Sequence, residues 1–382
     1  MKILSLFLFL FIASFGYSQD TIYARKIIKK LTAKEYLGRG YVGDGVNKAA
    51  AYLSKEIKSI GLVKFGKSYS QPYSFDVNTF PGLMSVTLDG RLLTPGKHYL
   101  VVPSAKTVKS GFQLFKTDSV TYKATDGRRE VPLEIKLKKK LTYDVATELA
   151  DHTTIELLKD SFPNELKNVD VIFENKFIPN FKSQNLCGYI KGTQQPDSFI
   201  VFTAHYDHLG AMGKNTFFPG ANDNASGVSV LLNLAKYYKK NPTKYSIAFI
   251  FFSGEEAGLL GSKYYSEHPI FPLSKIKFLT NLDLLGTGND GIMVVNATVF
   301  KEQFEKLKSI NDEKKYVAQV KQRGKAANSD HYWFTEKGVP SFFIYTMGGI
   351  QAYHDIYDIE KTLPLTDYVD VCKLLIEFNL KL

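Results

Sequence analysis

The sequence contains little cysteine and, after its first residues, no long apolar run. There are two cysteines, Cys187 and Cys372, among 382 residues. A domain of this size folds without disulfides, and each cysteine lies in an apolar stretch, so we expect two buried free thiols, with a single disulfide as the alternative. Because the later apolar runs are too short to cross a bilayer, we predict no membrane span in the mature chain.

The sequence also lacks a concentrated basic cluster, although its net charge is +11. Its 49 lysines and arginines are spread along the chain against 38 acidic residues. One dense patch, KLKKKLTY at residues 136–143, fits the solvated face of a strand. Because basic residues are not interleaved with aromatic ones, we predict no nucleic-acid partner. The sequence gives no indication of the oligomeric state.

The N-terminus has the order of a secretion signal. Lys2 precedes an apolar run from Ile3 to Ile12, and small residues follow up to Ser18. A positive end, a short apolar core and a small-residue exit are typical of a cleaved signal peptide. We therefore predict that residues 1–18 are a signal peptide and that the protein is exported to the periplasm or the medium.

The remaining chain divides into three segments that differ in the spacing of their apolar and turn residues. Residues 20–69 carry apolar residues at helical spacing, and the second helix is predicted to end at Gly61. Residues 70–175 contain short runs of Tyr, Val, Thr and Phe broken by turn residues, which predicts an inserted β-rich module with one helix near residues 154–162. Residues 176–382 alternate buried strands with amphipathic helices. Together with residues 20–69 they predict an α/β fold, a three-layer αβα sandwich with a mostly parallel mixed central sheet.

Reactive side chains follow the predicted strands of the α/β segment. In open α/β sheets, ligands bind at the carboxyl ends of the strands, so these side chains are expected to converge on one rim. Histidine nitrogen and carboxylate oxygen are zinc ligands, and a pair of zinc ions needs one carboxylate to bridge them. The candidate set consists of His205, Asp223, Glu255, Glu256, Asp283 and His354.

Asp223 lies in PGANDNASG, residues 219–227, where almost every neighbour is small. Such a stretch also fits a polar turn or a glycosylation acceptor. A bridging carboxylate, however, must come within about 2 Å of both metal ions, and bulky neighbours would block that approach. The small neighbours are what a bridging aspartate in a crowded metal loop requires.

Six motifs occur in an order that resembles a known family. HYDHLG, GANDNASG, FFSGEEAGLLGS, NLDLLG, SDHYWF and YHDIYD resemble those of the secreted di-zinc aminopeptidases of the bacterial leucyl aminopeptidase type, which are related to glutamate carboxypeptidases and glutaminyl cyclases. The resemblance covers residues 20–66 and 180–382. It implies a metallo-exopeptidase that holds two Zn²⁺ per chain and acts on peptides.

The resemblance also assigns the metal ligands. It implies that Asp223 bridges the two zinc ions. It further implies that His205 and Asp283 complete one zinc site, and that Glu256 and His354 complete the other. A cis peptide bond between Asp223 and its successor is expected as well.

Other residues receive supporting roles from the same resemblance. Glu255 is implied to be the general base, and the hydroxyl of Tyr353 is positioned to stabilise the oxyanion. Asp207 is placed to hold the second nitrogen of His205. We expect His208 to stabilise its loop, since its metal is already completed by other ligands.

The same fold leaves alternative functions open. A glutaminyl cyclase shares much of the metal set, although cyclases tend to carry tryptophan where this chain has Tyr353. A carboxypeptidase or dipeptidase acting on small acidic peptides is a second alternative. A non-catalytic peptide-binding module is disfavoured because Glu255 and the ligands are all present. Residues 70–175 lie where related enzymes carry an inserted protease-associated domain or lid, and our hypothesis is that they limit substrate size.

Overall fold

The computed structural model describes residues 20–162 and 165–382, so the predicted signal peptide lies outside the described residues. The helices are α1 (Thr21–Leu31), α2 (Gly45–Ile60), α3 (Gly227–Lys240), α4 (Leu260–Glu267), α5 (Lys301–Lys314), α6 (His331–Glu336) and α7 (Tyr368–Leu380). A π-helical turn, Ala221–Ser226, leads directly into α3.

Among the described residues, the strands form two eight-stranded sheets and one short hairpin. In chain order, the strands are β1 (Ser70–Thr79), β2 (Met84–Leu88), β3 (Arg91–Leu92), β4 (Tyr99–Val101), β5 (Val108–Lys116), β6 (Thr121–Thr125), β7 (Glu130–Lys138), β8 (Thr153–Leu158), β9 (Asn168–Phe173), β10 (Lys176–Ile190), β11 (Gln195–His205), β12 (Ala211–Met212), β13 (Thr216–Phe217), β14 (Tyr245–Phe252), β15 (Ile276–Leu282), β16 (Ile292–Val295), β17 (Val320–Gln322) and β18 (Ser341–Thr346).

The sheet that contains β1, the first sheet, is mixed, and its central strands are parallel. Its strand order is β1-β10-β14-β11-β15-β18-β16-β17. Strands β14, β11, β15 and β18 run parallel to one another. Strands β1 and β10 pair antiparallel at one side, and β16 pairs antiparallel to β18 at the other. The four parallel strands therefore present their carboxyl ends at one rim.

Helices cover both faces of this sheet. Alternate residues of a strand point to opposite faces, and β14 shows the consequence. Phe249 and Phe251 join a core shared with α1, α2, α3, α5 and α7. Ile250 and Phe252 join a second core with Tyr265 of α4 and a residue of α6. The predicted three-layer αβα sandwich with a mostly parallel mixed sheet is confirmed.

The second sheet has the order β3-β2-β9-β5-β6-β7-β8-β4 and spans residues 84–173. The helix predicted near residues 154–162 is wrong: Thr153–Leu158 is a strand, and only a single 3₁₀ turn, Lys159–Ser161, follows it. The segment begins with three β-branched residues, which suit a pleated strand. It also pairs with β7 on one side and β4 on the other, and these tertiary contacts decide the outcome.

The sheets meet at a different point from the predicted start of the module. Ser70–Thr79 pairs along its length with β10, so it belongs to the first sheet rather than to the second one. The second sheet begins only at Met84. The division of the chain into domains stays a prediction. A boundary drawn between the two sheets would lie after Thr79 rather than before residue 70.

Both cysteines are buried and unpaired, as expected from their apolar surroundings. Burial raises the pKa of the thiols of Cys187 and Cys372, which keeps them protonated at neutral pH. Among the described residues, no helix is long and apolar enough to cross a membrane.

Candidate metal centre

The parallel strands bring the predicted site residues to one rim. His205 ends β11, Asp283 follows β15, and Glu255 and Glu256 follow β14. The loop after β18 carries the second histidine, and the π-helical turn before α3 carries the bridging candidate. A cavity of about 210 Å³ is lined by His205, Asp223, Glu255, Glu256, Asp283, Tyr353 and His354.

Four distances between predicted ligands are longer than ordinary hydrogen bonds. His205 Nε2 lies 3.4 Å from Asp223 Oδ1 and 3.3 Å from Asp283 Oδ2. His354 Nε2 lies 3.3 Å from Asp223 Oδ2 and 3.3 Å from Glu256 Oε2. Ligand atoms at about 2.0–2.2 Å from a tetrahedral zinc ion are about 3.3–3.6 Å apart. The spacings of these residues on both sides of Asp223 therefore fit zinc coordination.

Clustered acids add to this fit. Asp223, Glu255, Glu256 and Asp283 all line the small cavity. Burial raises the pKa of both Glu255 and Asp283, and among the described residues Asp283 Oδ1 has no hydrogen-bond partner. Buried like charges repel one another unless cations compensate them. Divalent metal ions supply that compensation.

The loop around Asp223 is as crowded as its small residues predict. A Cβ atom on Gly220 would lie 2.1 Å from the carbonyl oxygen of Asp223 and 2.4 Å from the ring of His208. A Cβ atom on Gly227 would lie 2.3 Å from Asn224 Oδ1. The peptide bond between Asp223 and Asn224 is cis, as expected. Larger side chains at these glycines would displace the candidate bridging aspartate.

His208 lies close to the metal candidates but makes an ordinary hydrogen bond. His208, Asp223 and Glu256 are close enough to hold a metal ion together. However, His208 Nδ1 lies 2.6 Å from Glu256 Oε1, which is the length of a hydrogen bond rather than of a tetrahedral edge. This contact fixes the orientation of Glu256 and favours a supporting role for His208.

Asp207 contacts more groups than predicted. His205 Nδ1 lies 3.3 Å from the carbonyl oxygen of Asp207 and 3.7 Å from its carboxylate. The carboxylate itself accepts a hydrogen bond of 2.8 Å from the hydroxyl of Tyr41 and bonds of 3.3 Å from the N–H groups of Glu255 and Glu256. Asp207 therefore holds the Glu255–Glu256 peptide beside His205.

Arg39 is a buried residue of the site that the sequence analysis missed. Its side chain is fully buried, and burial lowers its pKa to about 10, so it keeps its charge at neutral pH. Its five N–H groups donate to five main-chain carbonyls, at distances from 2.7 to 3.2 Å. These carbonyls belong to Leu31, Tyr206, Pro219, Gly220 and Asp223. Arg39 therefore ties the His205 loop to the Asp223 loop.

The sequence carried a weak signal of this contact in YLGRG, residues 36–40. A Cβ atom on Gly38 would lie 2.2 Å from the carbonyl oxygen of Gly210, and one on Gly40 would lie 2.3 Å from its Cα atom. An arginine between two glycines is thus placed where the main chain passes directly over another loop. Only the fold shows which loop that is.

Replacing Arg39 by methionine should lower the free energy of unfolding by at least about 3 kcal/mol, because each buried carbonyl left unpaired costs about 1–3 kcal/mol. Denaturant unfolding of the metal-free protein measures the loss. Arg128→Met is the matched control, since Arg128 is exposed in the turn between β6 and β7 and its replacement should change the free energy of unfolding by less than about 0.5 kcal/mol. Equal losses in the two variants would contradict a special role for Arg39.

Asp358 holds the main chain on the N-terminal side of Asp223. Its carboxylate accepts hydrogen bonds from the N–H groups of Asn222 and Asp223, at 2.8 and 2.9 Å. Burial raises the pKa of Asp358 to about 6. The main chain of Asp223 is therefore fixed through its N–H by Asp358 and through its carbonyl by Arg39.

Tyr353 and Glu255 face the cavity without being part of the four ligand contacts. The ring of Tyr353 stacks on the ring of His354, with centroids 4.0 Å apart and an angle of 16° between the planes. The lining of the cavity also includes Leu284, Phe343 and Tyr345. The cavity thus combines acidic groups with apolar ones.

Comparisons with known proteins identify a family and similar folds. Residues 185–378 match the model of peptidase family M28. A stretch of 117 residues is 42% identical to aminopeptidase YwaD of Bacillus subtilis, covering 29% of this chain and 24% of that protein. The chain thus spans about a quarter of the length of the curated relatives it matches.

Two solved structures show the same fold. BSAP, a zinc aminopeptidase from Bacillus subtilis, matches with a TM-score of 0.68 and 19% identity over 94% of this chain and 95% of that chain. The glutaminyl cyclase of Bacteroides thetaiotaomicron bound to N-acetylhistamine matches with a TM-score of 0.53 and 14% identity over 94% of this chain and 97% of that chain. Because the family model matches more than half of the residues, this chain belongs to peptidase family M28.

Proposed function

We propose that this protein is an exported zinc-dependent aminopeptidase that removes N-terminal residues from peptides. The observation that carries the proposal is the position of Asp223 between the two histidines, His205 and His354. The distances from each histidine to its neighbouring carboxylates match the edges of a zinc tetrahedron. The names of the relatives, aminopeptidase YwaD and a zinc aminopeptidase, support it. Export rests on the signal-like order of residues 1–18.

In this proposal the chain would hold two zinc ions. Asp223 would be shared between them. His205 and Asp283 would complete one site, and Glu256 and His354 would complete the other. When bound, zinc ions polarise a scissile carbonyl and activate water for attack on it.

The remaining chemistry belongs to side chains of the cavity. Glu255 accepts the proton of the attacking water and passes it to the leaving amine. Because burial raises the pKa of Glu255, the side chain has a higher proton affinity than an exposed carboxylate, as a general base requires. The hydroxyl of Tyr353 donates a hydrogen bond to the developing oxyanion, and its stacking on His354 holds the ring beside the metals.

The lining of the cavity suits a free peptide N-terminus. Asp283 Oδ1, which has no hydrogen-bond partner among the described residues, can accept a hydrogen bond from the α-ammonium group of the substrate. Leu284, Phe343 and Tyr345 accommodate the side chain of the N-terminal residue. The cavity is small, at about 210 Å³, so it accepts one side chain and leaves the rest of the peptide outside.

A panel of aminoacyl-nitroanilides tests the function. Zinc-loaded protein lacking residues 1–18 should hydrolyse leucyl and phenylalanyl substrates at least about 10-fold faster, in kcat/KM, than aspartyl and glutamyl ones. Acetylation of the substrate amine should abolish turnover, because the acetylated nitrogen carries no charge and no longer pairs with the carboxylate of Asp283. A chelator should remove the activity and added zinc should restore it.

The alternative functions predict other results from the same protein. Cyclisation of N-terminal glutamine without release of an amino acid would replace the proposal by a glutaminyl cyclase. Release of residues from the C-terminus of small acidic peptides would replace it by a carboxypeptidase. Binding of peptides by zinc-loaded protein without any turnover would indicate a non-catalytic module.

A further inference from the structure

The segment between β7 and β8, residues 139–152, reaches the metal centre with its main chain. The N–H group of Tyr143 donates to the carbonyl of His354 at 2.8 Å, and His354 Nδ1 lies 3.0 Å from the carbonyl oxygen of Tyr143. A carbonyl oxygen only accepts hydrogen bonds, so His354 Nδ1 carries a hydrogen. The lone pair needed by a metal is then on Nε2, the atom that faces Asp223 and Glu256.

The side chain of Tyr143 contacts the other metal loop. Its buried ring stacks on Phe218, with centroids 4.5 Å apart and an angle of 9° between the planes. Phe218 directly precedes residues 219–227, the loop that carries Asp223. Tyr143 therefore lies between the two loops, contacting one through its ring and the other through its main chain.

Lys140 holds the loop of His354 from the outside. Its ammonium group donates to the carbonyls of Gln351 and Tyr353, at 2.9 and 3.2 Å, and pairs with Asp355 at 3.4 Å. The loop between β18 and the 3₁₀ turn at residues 360–362 contains no helix or strand. Its conformation thus depends on contacts with neighbouring segments such as this one.

The backbone at His354 also needs this support. His354 has φ +54, in the left-handed region that non-glycine residues rarely adopt. Such a conformation persists where the surroundings hold it. Both hydrogen bonds with Tyr143 are made by His354 itself, one through its carbonyl and one through its ring.

We propose that Lys140 and Tyr143 are positioning residues for His354. They fix the tautomer and direction of its imidazole, and they thereby set the zinc affinity of the Glu256–His354 site. The inference rests on the proposed function for the identity of the metal. It makes the β-rich segment a structural part of the metal centre, whatever its effect on substrate size.

Zinc titration against a chromophoric chelator tests the proposal without any substrate. Lys140→Met, and Tyr143→Pro, which removes the N–H group that donates to the carbonyl of His354, should each weaken the second zinc site by about 10–100-fold, the range seen when a partner of a metal-bound histidine is lost. The first zinc site, with His205 and Asp283, should change less than about 3-fold. Lys140→Arg, which keeps a cation with N–H donors, should recover most of the lost affinity.

Lys139→Met is the matched control, because it removes the same charge from the exposed neighbouring lysine. Unchanged affinity of both sites in Lys140→Met and Tyr143→Pro would overturn the proposal. Equal weakening of both sites, accompanied by a lower unfolding midpoint, would also overturn it in favour of a general structural role. Wild-type protein that binds two zinc ions but cleaves no aminoacyl substrate would refute only the proposed function, whereas wild-type protein that binds fewer than two would refute this inference.

Discussion

Glu255→Gln should lower kcat by about 10²–10⁴-fold while leaving both zinc ions bound, because loss of a general base costs about that factor. The amide has nearly the same shape as the carboxylate, but it does not accept the proton of the attacking water. The change should appear in kcat rather than in KM, since Glu255 acts on the water and not on substrate binding. Steady-state kinetics with a leucyl-nitroanilide and a zinc assay of the same sample measure both effects.

Zinc content distinguishes a general base from a ligand. His205, Glu255 and Glu256 also lie close enough together to hold a metal ion. If Glu255→Gln loses a zinc ion together with its activity, Glu255 is a ligand and the assignment of the base is wrong. Glu267→Gln, an exposed change at the end of α4, is the matched control and should retain the kcat of the wild type.

The rim of the sheet could be predicted because its strands have a distinctive sequence. Strand β14 reads YSIAFIFF and is buried at seven of its eight positions. A continuous apolar run of that length indicates a strand buried on both faces, and the next reactive residues then lie at its carboxyl end. The same argument places His205 and Asp283, so the sequence was sufficient to gather these candidates at one rim.

Contacts made by the main chain could not be predicted in this way. Arg39 donates to five carbonyl groups, and Tyr143 pairs with His354 through its own N–H and carbonyl. A carbonyl is the same in every residue, so its partner leaves no motif in the sequence. The helix predicted near residues 154–162 was wrong for a related reason. Pairing with β7 and β4, rather than the local spacing of apolar residues, makes β8 a strand.

Asp223→Asn should weaken the binding of both zinc ions by more than about 100-fold, beyond the loss expected for a partner outside the ligand set. An amide has a similar shape but no charge, and only one of its two terminal atoms is an oxygen that binds metal. One site therefore loses its ligand atom, and the other keeps only an uncharged oxygen in place of a carboxylate oxygen, so both affinities fall. Equilibrium dialysis against zinc, with kcat measured at each occupancy, gives the two affinities.

His354→Gln provides the comparison that isolates the bridging role. Only the Glu256–His354 site uses this histidine, so one zinc ion should remain bound with nearly unchanged affinity. Asp197→Asn, an exposed change of the same chemical type, should leave both sites intact. If Asp223→Asn loses one zinc ion and keeps the other at full affinity, Asp223 serves a single metal. The 3.3 and 3.4 Å distances from its two oxygens to the two histidines would then need another explanation.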